Sequence, residues 1–211
     1  MKASNYGNLY GNGGKCMKAK RFAALWLALF LMLSLLVVPA GAVSFTDMQG
    51  HWAQEDVEYL AGLGIVKGTS ATTFAPAQKM TACEALLFCS RATGVSAADK
   101  KQIAADRADQ LKEILPEEVY SWAEEEMAVC LETGIISVTE LEAMCSSGAL
   151  LKSITRESLS MYLVRAMQLE PMAKNLTNYS MSFADTASIS QALRPYVYLL
   201  NTYGIVQGNT A

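Results

Sequence analysis

The chain of 211 residues carries 17 Lys and Arg against 20 Asp and Glu, a net charge of −3, and 52% of it is hydrophobic. Five of the basic residues and none of the acids fall before Val43, so the remainder carries twelve cations against twenty acids, net −8. That balance argues against non-specific binding to nucleic acid or to an anionic membrane face, and a single His leaves little for a zinc site.

Lys18, Lys20 and Arg21 precede an apolar run from Phe22 to Val38, followed by Pro39 and Ala40-Gly41-Ala42. A basic region, an apolar region and an A-x-A site mark residues 1–42 as a secretory signal peptide. The run of 17 residues falls slightly short of the roughly 20 that span a bilayer, so an uncleaved membrane anchor is the competing reading. Export holds under both. Met17 opens a normal leader by itself, and residues 1–16, rich in Gly, Asn and Tyr, are expected to be a spurious upstream start. Cys16 precedes the apolar run, which is not a lipid-anchor context.

Beyond the leader the chain repeats. Trp52-Ala53, Val57, Leu60 and Gly64-Ile65-Val66 superpose on Trp122-Ala123, Met127, Cys130 and Gly134-Ile135-Ile136 at an offset of 70 residues. Ala192-Leu193, Val197, Leu200 and Gly204-Ile205-Val206 follow at the same offset again. Each segment spaces its apolar positions as one helical stripe and then stops at a glycine, which takes a left-handed conformation at little cost.

Second helices follow in two of the units. Thr81 precedes Ala82 to Ala92 with Glu84 in place for a capping box, and Thr155 precedes Arg156 to Leu169 with Ser158 where the glutamate would stand. Between them Ser96 to Leu115 reads as a further helix, and Pro171 to Ser182 as a polar linker. Strand signals are few. The chain is expected to be all-α. Its boundaries are a leader over 1–42, repeats over 43–95 and 96–170, a linker over 171–182 and a truncated third repeat over 183–211.

These landmarks resemble the S-layer homology family, whose repeat runs F-x-D, W-A, G-I/V-V-x-G, F-x-P and T-R-A-E. Phe45-Thr46-Asp47, His51-Trp52-Ala53, Gly64-Ile65-Val66-Lys67-Gly68, Phe74-Ala75-Pro76 and Thr81-Ala82-Cys83-Glu84 supply them in order. The second repeat is looser. Asp106 takes its acidic position with Ala104 in place of the Phe, and no F-x-P counterpart is found. The third offers Phe183-Ala184-Asp185 and Gly204-Ile205-Val206-Gln207-Gly208. The resemblance implies three repeats in a helical pseudo-threefold bundle with the third incomplete. It also implies an exported, non-catalytic module anchored non-covalently to a secondary cell-wall polysaccharide, often one bearing a pyruvate ketal, on the cell wall or S-layer of a Gram-positive bacterium. The alternatives are a protein–protein interaction module of the envelope and the anchor fragment of a larger envelope enzyme.

The residues carried over as polysaccharide-binding are Asp47, Trp52, Glu84, Asp106, Trp122, Thr155, Arg156 and Asp185. An arginine offers a flat fork to a sugar carboxylate, and a tryptophan a face to a pyranose. Structural readings stand beside each: core packing for Trp52 and Trp122, helix caps for Asp47, Asp185, Glu84 and Thr155, and an exposed helix start for Arg156. Ala82 stands where the first T-R-A-E has its arginine, so one groove at most is expected to keep the full charge. Cys83, Cys89, Cys130 and Cys145 lack metal-ligand spacing and read first as buried thiols, then as disulfides. Glu124-Glu125-Glu126 points to different helix faces, and His51 has no nucleophile beside it. No catalytic residue, cofactor or metal is expected, and membrane contact only if the leader is retained.

Overall fold

A computed structural model describes residues 43–181 and 183–208. The expected leader and the last three residues of the chain lie outside these. Among the described residues eight α-helices follow in order: α1 (Gln54–Gly62), α2 (Ala82–Ala92), α3 (Ala97–Ile114), α4 (Glu117–Glu132), α5 (Val138–Ser146), α6 (Arg156–Ala166), α7 (Glu170–Lys174) and α8 (Arg194–Thr202). Short 3-10 turns sit at Thr46–Met48, Ala149–Leu151 and Thr186–Ser188. No strand is present among the described residues beyond one isolated bridge, Thr81 to Ser153. The fold is all-helical.

The 70-residue echo is visible in the backbone. Helices α1, α4 and α8 end at Gly62, Glu132 and Thr202, and two residues later Gly64, Gly134 and Gly204 take φ of 71°, 74° and 72°. At that φ a Cβ would crowd the carbonyl, so glycine is the residue that closes each helix without strain. The chain then turns back, with the Val66, Ile136 and Val206 N–H groups bonding the Leu60, Cys130 and Leu200 carbonyls. Helix α4 starts two turns earlier than its counterparts, on Pro116.

Caps set the other starts. Thr81 and Glu84 close a reciprocal capping box on α2, Ser96 caps α3 through the Asp99 N–H, and Thr155 caps α6 through Ser158. Ser137 and Glu140 form a second capping box on α5, an S-x-x-E signal that sequence reading passed over. Two boundaries differ from expectation. Helix α6 ends at Ala166 rather than Leu169, where Gln168 turns to φ 59°. The linker expected from Pro171 begins as helix α7, because Pro171 suits a first helical turn and Ala173 is buried.

The main core lies between α2, α3, α4 and α6. Helix α4 contributes Val119, Ala123, Met127 and Cys130, one stripe at helical spacing, against Cys83, Leu86 and Leu87 of α2 and Leu111 of α3. Burial of each larger side chain stabilises by about 1.5–3 kcal/mol. A second cluster joins Val164 of α6 and Ala173 of α7 to Tyr196, Leu199 and Leu200 of α8. The entries of α2 and α6 are tied together, with Ala82 N–H on the Lys152 carbonyl at 2.9 Å and Ile154 N–H on the Met80 carbonyl at 3.0 Å.

Candidate functional site

Asp47 turns inward on its own unit. Its Oδ1 accepts the Phe74 N–H at 2.9 Å and its Oδ2 the Ala75 N–H at 2.6 Å. Those backbone donors, Phe74 foremost, hold its carboxyl below the usual range even though burial pushes the other way. Ala75 sits at φ 63°, a conformation a non-glycine residue adopts only when held there. Asp47 is therefore the clasp of the Phe74-Ala75-Pro76 loop rather than a helix cap.

The phenylalanine of the same motif explains a glycine. A Cβ added at Gly68 would lie 2.5 Å from the Phe45 ring, and one added at Gly208 would lie 2.9 Å from the Phe183 ring. In the first and third units the ring rests on the closing glycine. In the middle unit that glycine is Val138 and no phenylalanine stands opposite, so both halves of the contact are gone together. Helix α5 begins there in place of the loop. Asp106 accordingly is no counterpart of Asp47. It lies inside α3, accepting a hydrogen bond from Gln102 at 2.9 Å.

Two cavities open on the flanks. One of about 680 Å³ is lined by Arg156, Glu157 and Ser160 of α6, by Phe183, Asp185 and Ile189, and by Val206-Gln207-Gly208. Arg156 Nη2 donates to the Gln207 carbonyl at 3.0 Å, and the guanidinium has no ion pair among the described residues. Glu157 is occupied, accepting the Ser190 N–H at 2.7 Å. Asp185 makes no side-chain cap to the turn it precedes. The cavity thus offers donors on one wall, a carboxylate acceptor on another and apolar side chains between. That mixture suits a polar ligand with hydrogen-bonding groups on both sides.

The second cavity, about 540 Å³, is lined by the Ile65-to-Thr69 turn, the Phe74-Ala75-Pro76 loop, Lys79, Glu84, Phe88, Arg91 and Trp122. Lys67 and Lys79 border it without an ion pair among the described residues, whereas Arg91 is held by Glu126 at 2.9 Å. The loss of arginine at Ala82 therefore does not strip this flank of cations. Sequence spacing gave no hint of that, because the lysines come from the loop and not from the helix start.

The eight residues carried over from the resemblance are not brought to one place. Arg156 and Asp185 share the first cavity, and Glu84 and Trp122 share the second. Thr155 caps α6 through the Ser158 N–H at 3.2 Å. Both tryptophans lie at the surface, which corrects the expectation of core packing. Trp52 is 88% exposed and tilted against the His51 ring, and Trp122 is half exposed. For Trp122 the physical reason is position on α4, where the neighbouring Ala123 takes the inward place, fully buried, and turns the indole outward. Trp52 lies in the turn before α1.

Arg165 escaped the sequence reading. It bonds Glu140 through Nη1 and Nη2 at 3.0 Å each, Glu170 through Nε at 2.9 Å and the Ile135 carbonyl through Nη1 at 3.2 Å. It thereby joins α5, α6 and α7. The four cysteines among the described residues are free thiols, with Cys83, Cys89 and Cys130 buried. Burial pushes the Cys83 and Cys89 thiols up to about 12, which keeps them protonated and unreactive. Among the described residues no group of three or more His, Cys, Asp or Glu is placed to hold a metal ion, and no helix is long and apolar enough to cross a membrane.

Comparison with known proteins places relatives beside the chain. The chain is 25% identical over 206 residues to an endoglucanase of Bacillus sp. (strain KSM-635), covering 93% of this chain and 20% of that protein. It is 24% identical over 199 residues to a surface-layer 125 kDa protein of Lysinibacillus sphaericus, covering 92% of this chain and 15% of that protein. The chain thus spans a fifth or less of the length of these curated relatives. Residues 44–81, which hold the Asp47 clasp, the Phe45–Gly68 contact and the Thr81 cap, match the family model of the S-layer homology domain, and the chain therefore carries an S-layer homology domain at that place.

Proposed function

We propose that the chain is a non-catalytic anchoring module of a bacterial cell surface that holds an acidic cell-wall polysaccharide in its flank cavities. The observation that carries the reading is Arg156. It is an arginine at a helix start, lining a cavity, with no carboxylate of its own and most of its N–H donors unspent. A cation at a helix N-terminus is mildly unfavourable with the dipole, and an anionic ligand there relieves it. A carboxylate of the glycan, such as a pyruvate ketal, pairs with the guanidinium, while Asp185 accepts from sugar hydroxyls. Trp122, with Lys67 and Lys79 nearby, makes the second flank a weaker platform for the same polymer. The S-layer homology domain and the surface-layer relative support this reading. The three units are proposed to lie about a pseudo-threefold axis, secreted and held in the wall of a Gram-positive cell.

The endoglucanase relative favours a second reading, in which such a region anchors an attached enzyme. Co-sedimentation of the full chain with purified secondary wall polysaccharide, against peptidoglycan stripped of it, tests the proposal. Binding to the polysaccharide arm, strongly weakened in Arg156→Ala without a change in unfolding midpoint, is the expected result. Equal binding to both arms, or an Arg156→Ala variant that binds as tightly as the unchanged chain, overturns it.

A further inference from the structure

Two arginines hold the same place in successive units and meet different surroundings. Arg91 and Arg165 each follow by ten residues the threonine that caps their helix. Each turns its Nε onto a carboxylate, Arg91 to Glu126 and Arg165 to Glu170, both at 2.9 Å. The terminal nitrogens differ. Arg165 spends Nη1 and Nη2 on the two oxygens of Glu140 at 3.0 Å each, and Nη1 also on the Ile135 carbonyl. Arg91 Nη1 and Nη2 have no hydrogen bond or ion pair among the described residues. Neither is sealed in the core, since among the described residues the buried side-chain polar atom without a partner is Ser90 Oγ.

The neighbouring backbone explains the difference. In the middle unit the chain after Gly134-Ile135-Ile136 enters α5, whose first turn delivers Glu140. In the first unit the matching stretch runs on into the loop clasped by Asp47. From Gly64 to Thr81 it holds no acid and two lysines, Lys67 and Lys79. Ile65, the counterpart of Ile135, lines the cavity of about 540 Å³ together with Arg91 and both lysines. Glu84 is the one acid on its walls, and it is committed to the capping box, accepting from Thr81 N–H at 2.7 Å and Thr81 Oγ1 at 2.9 Å. Where the middle unit sets a carboxylate against its arginine, the first unit has an open cavity.

We infer that Arg91 is the anion-binding residue of this cavity and that its ligand is a carboxylate carried on a sugar ring. The carboxylate is taken by Nη1 and Nη2 as Glu140 is taken by Arg165. Glu126 is a positioning residue. It grips Nε where both side chains are 13% exposed, which fixes the plane of the guanidinium. A fork held in place loses little freedom when it closes on a carboxylate. Half-exposed Trp122 offers the ring an apolar face, and Lys67 and Lys79 add attraction at longer range. The sugar as carrier rests on the acidic-polysaccharide reading above, whereas the carboxylate rests on the comparison of the two arginines.

The test titrates the isotope-labelled full chain with methyl glucuronoside and, as neutral control, methyl glucoside. Saturable shifts of the Val66, Lys67 and Thr69 amides and of Arg91 Nε–H are expected with the glucuronoside and not with the glucoside. Arg91→Lys keeps a cation for Glu126 and removes the fork. It should weaken the response by about tenfold, the worth of one hydrogen bond to a charged group, at an unchanged unfolding midpoint. If that variant unfolds, the Arg91 Nε–H signal of the unchanged chain decides. No shift there, an equal response to the glucoside, or a folded Arg91→Lys that binds as tightly as the unchanged chain overturns the inference. A glucuronoside response at Arg91 in a chain that does not co-sediment with wall polysaccharide supports this site and overturns only the reading of the polymer.

Discussion

Replacement of Arg165 by methionine keeps the length and the apolar stem of the side chain and removes its charge and its four N–H bonds. The guanidinium is 13% exposed and faces Glu140 at 39% and Glu170 at 23% side-chain exposure. Removing one partner of a fully buried ion pair costs about 3–5 kcal/mol. Here the orphaned carboxylates keep some water and other donors. Ser137 N–H bonds Glu140 at 2.8 Å, and Tyr196 Oη and Lys174 remain on Glu170 at 2.9 and 3.2 Å. The expected loss is therefore about 2–3 kcal/mol. In urea, with a slope of about 2 kcal/mol per molar, the midpoint falls by about 1 M.

The pH dependence separates an ionic hub from mere packing. Burial raises both carboxyl pKa values, but hydrogen bonds from Arg165, with Ser137 at Glu140 and Tyr196 and Lys174 at Glu170, outweigh it and leave both below their ordinary values. A depressed folded pKa contributes stability that is present above the unfolded value and is lost as pH falls through the folded one. The gap between wild type and Arg165→Met should thus be full at neutral pH and shrink below the ordinary glutamate value of about 4.3. An unchanged midpoint, or a gap undiminished in acid, refutes this account.

Gly68→Ala should destabilise by about 1–3 kcal/mol or more in urea unfolding, because the added Cβ would meet the Thr73 and Ser70 carbonyls as well as the Phe45 ring, and Phe45→Leu should not restore the loss. Thr81→Ala removes one half of a capping box and should cost about 1 kcal/mol by the same measurement. Alkylation of the native chain followed by peptide mass mapping should label Cys145 ahead of Cys83, Cys89 and Cys130, with the order vanishing in denaturant. Asp47→Ala should free the Phe74-Ala75-Pro76 loop, read as faster amide exchange at Phe74 and Ala75 with little change in the main core.

The residues by themselves determined where helices start and stop. Thr81 with Glu84, Ser96 and Thr155 act on N–H groups two or three residues away, and the glycines at 64, 134 and 204 act on the turn they occupy, so spacing along the chain suffices to see them. The apolar stripe of α4 was legible for the same reason, while the Ser137–Glu140 box shows that the signal was present even where it went unread. Tertiary structure alone decided the rest. Asp47 meets Phe74 across 27 residues, and Arg165 meets Glu140 across 25. Neither the outward turn of the tryptophans nor the gathering of Lys67, Lys79 and Trp122 about one cavity follows from any spacing. Such contacts depend on the path of the backbone between distant segments. That path is set by how whole helices pack, a sum of many small burial terms that no single motif carries.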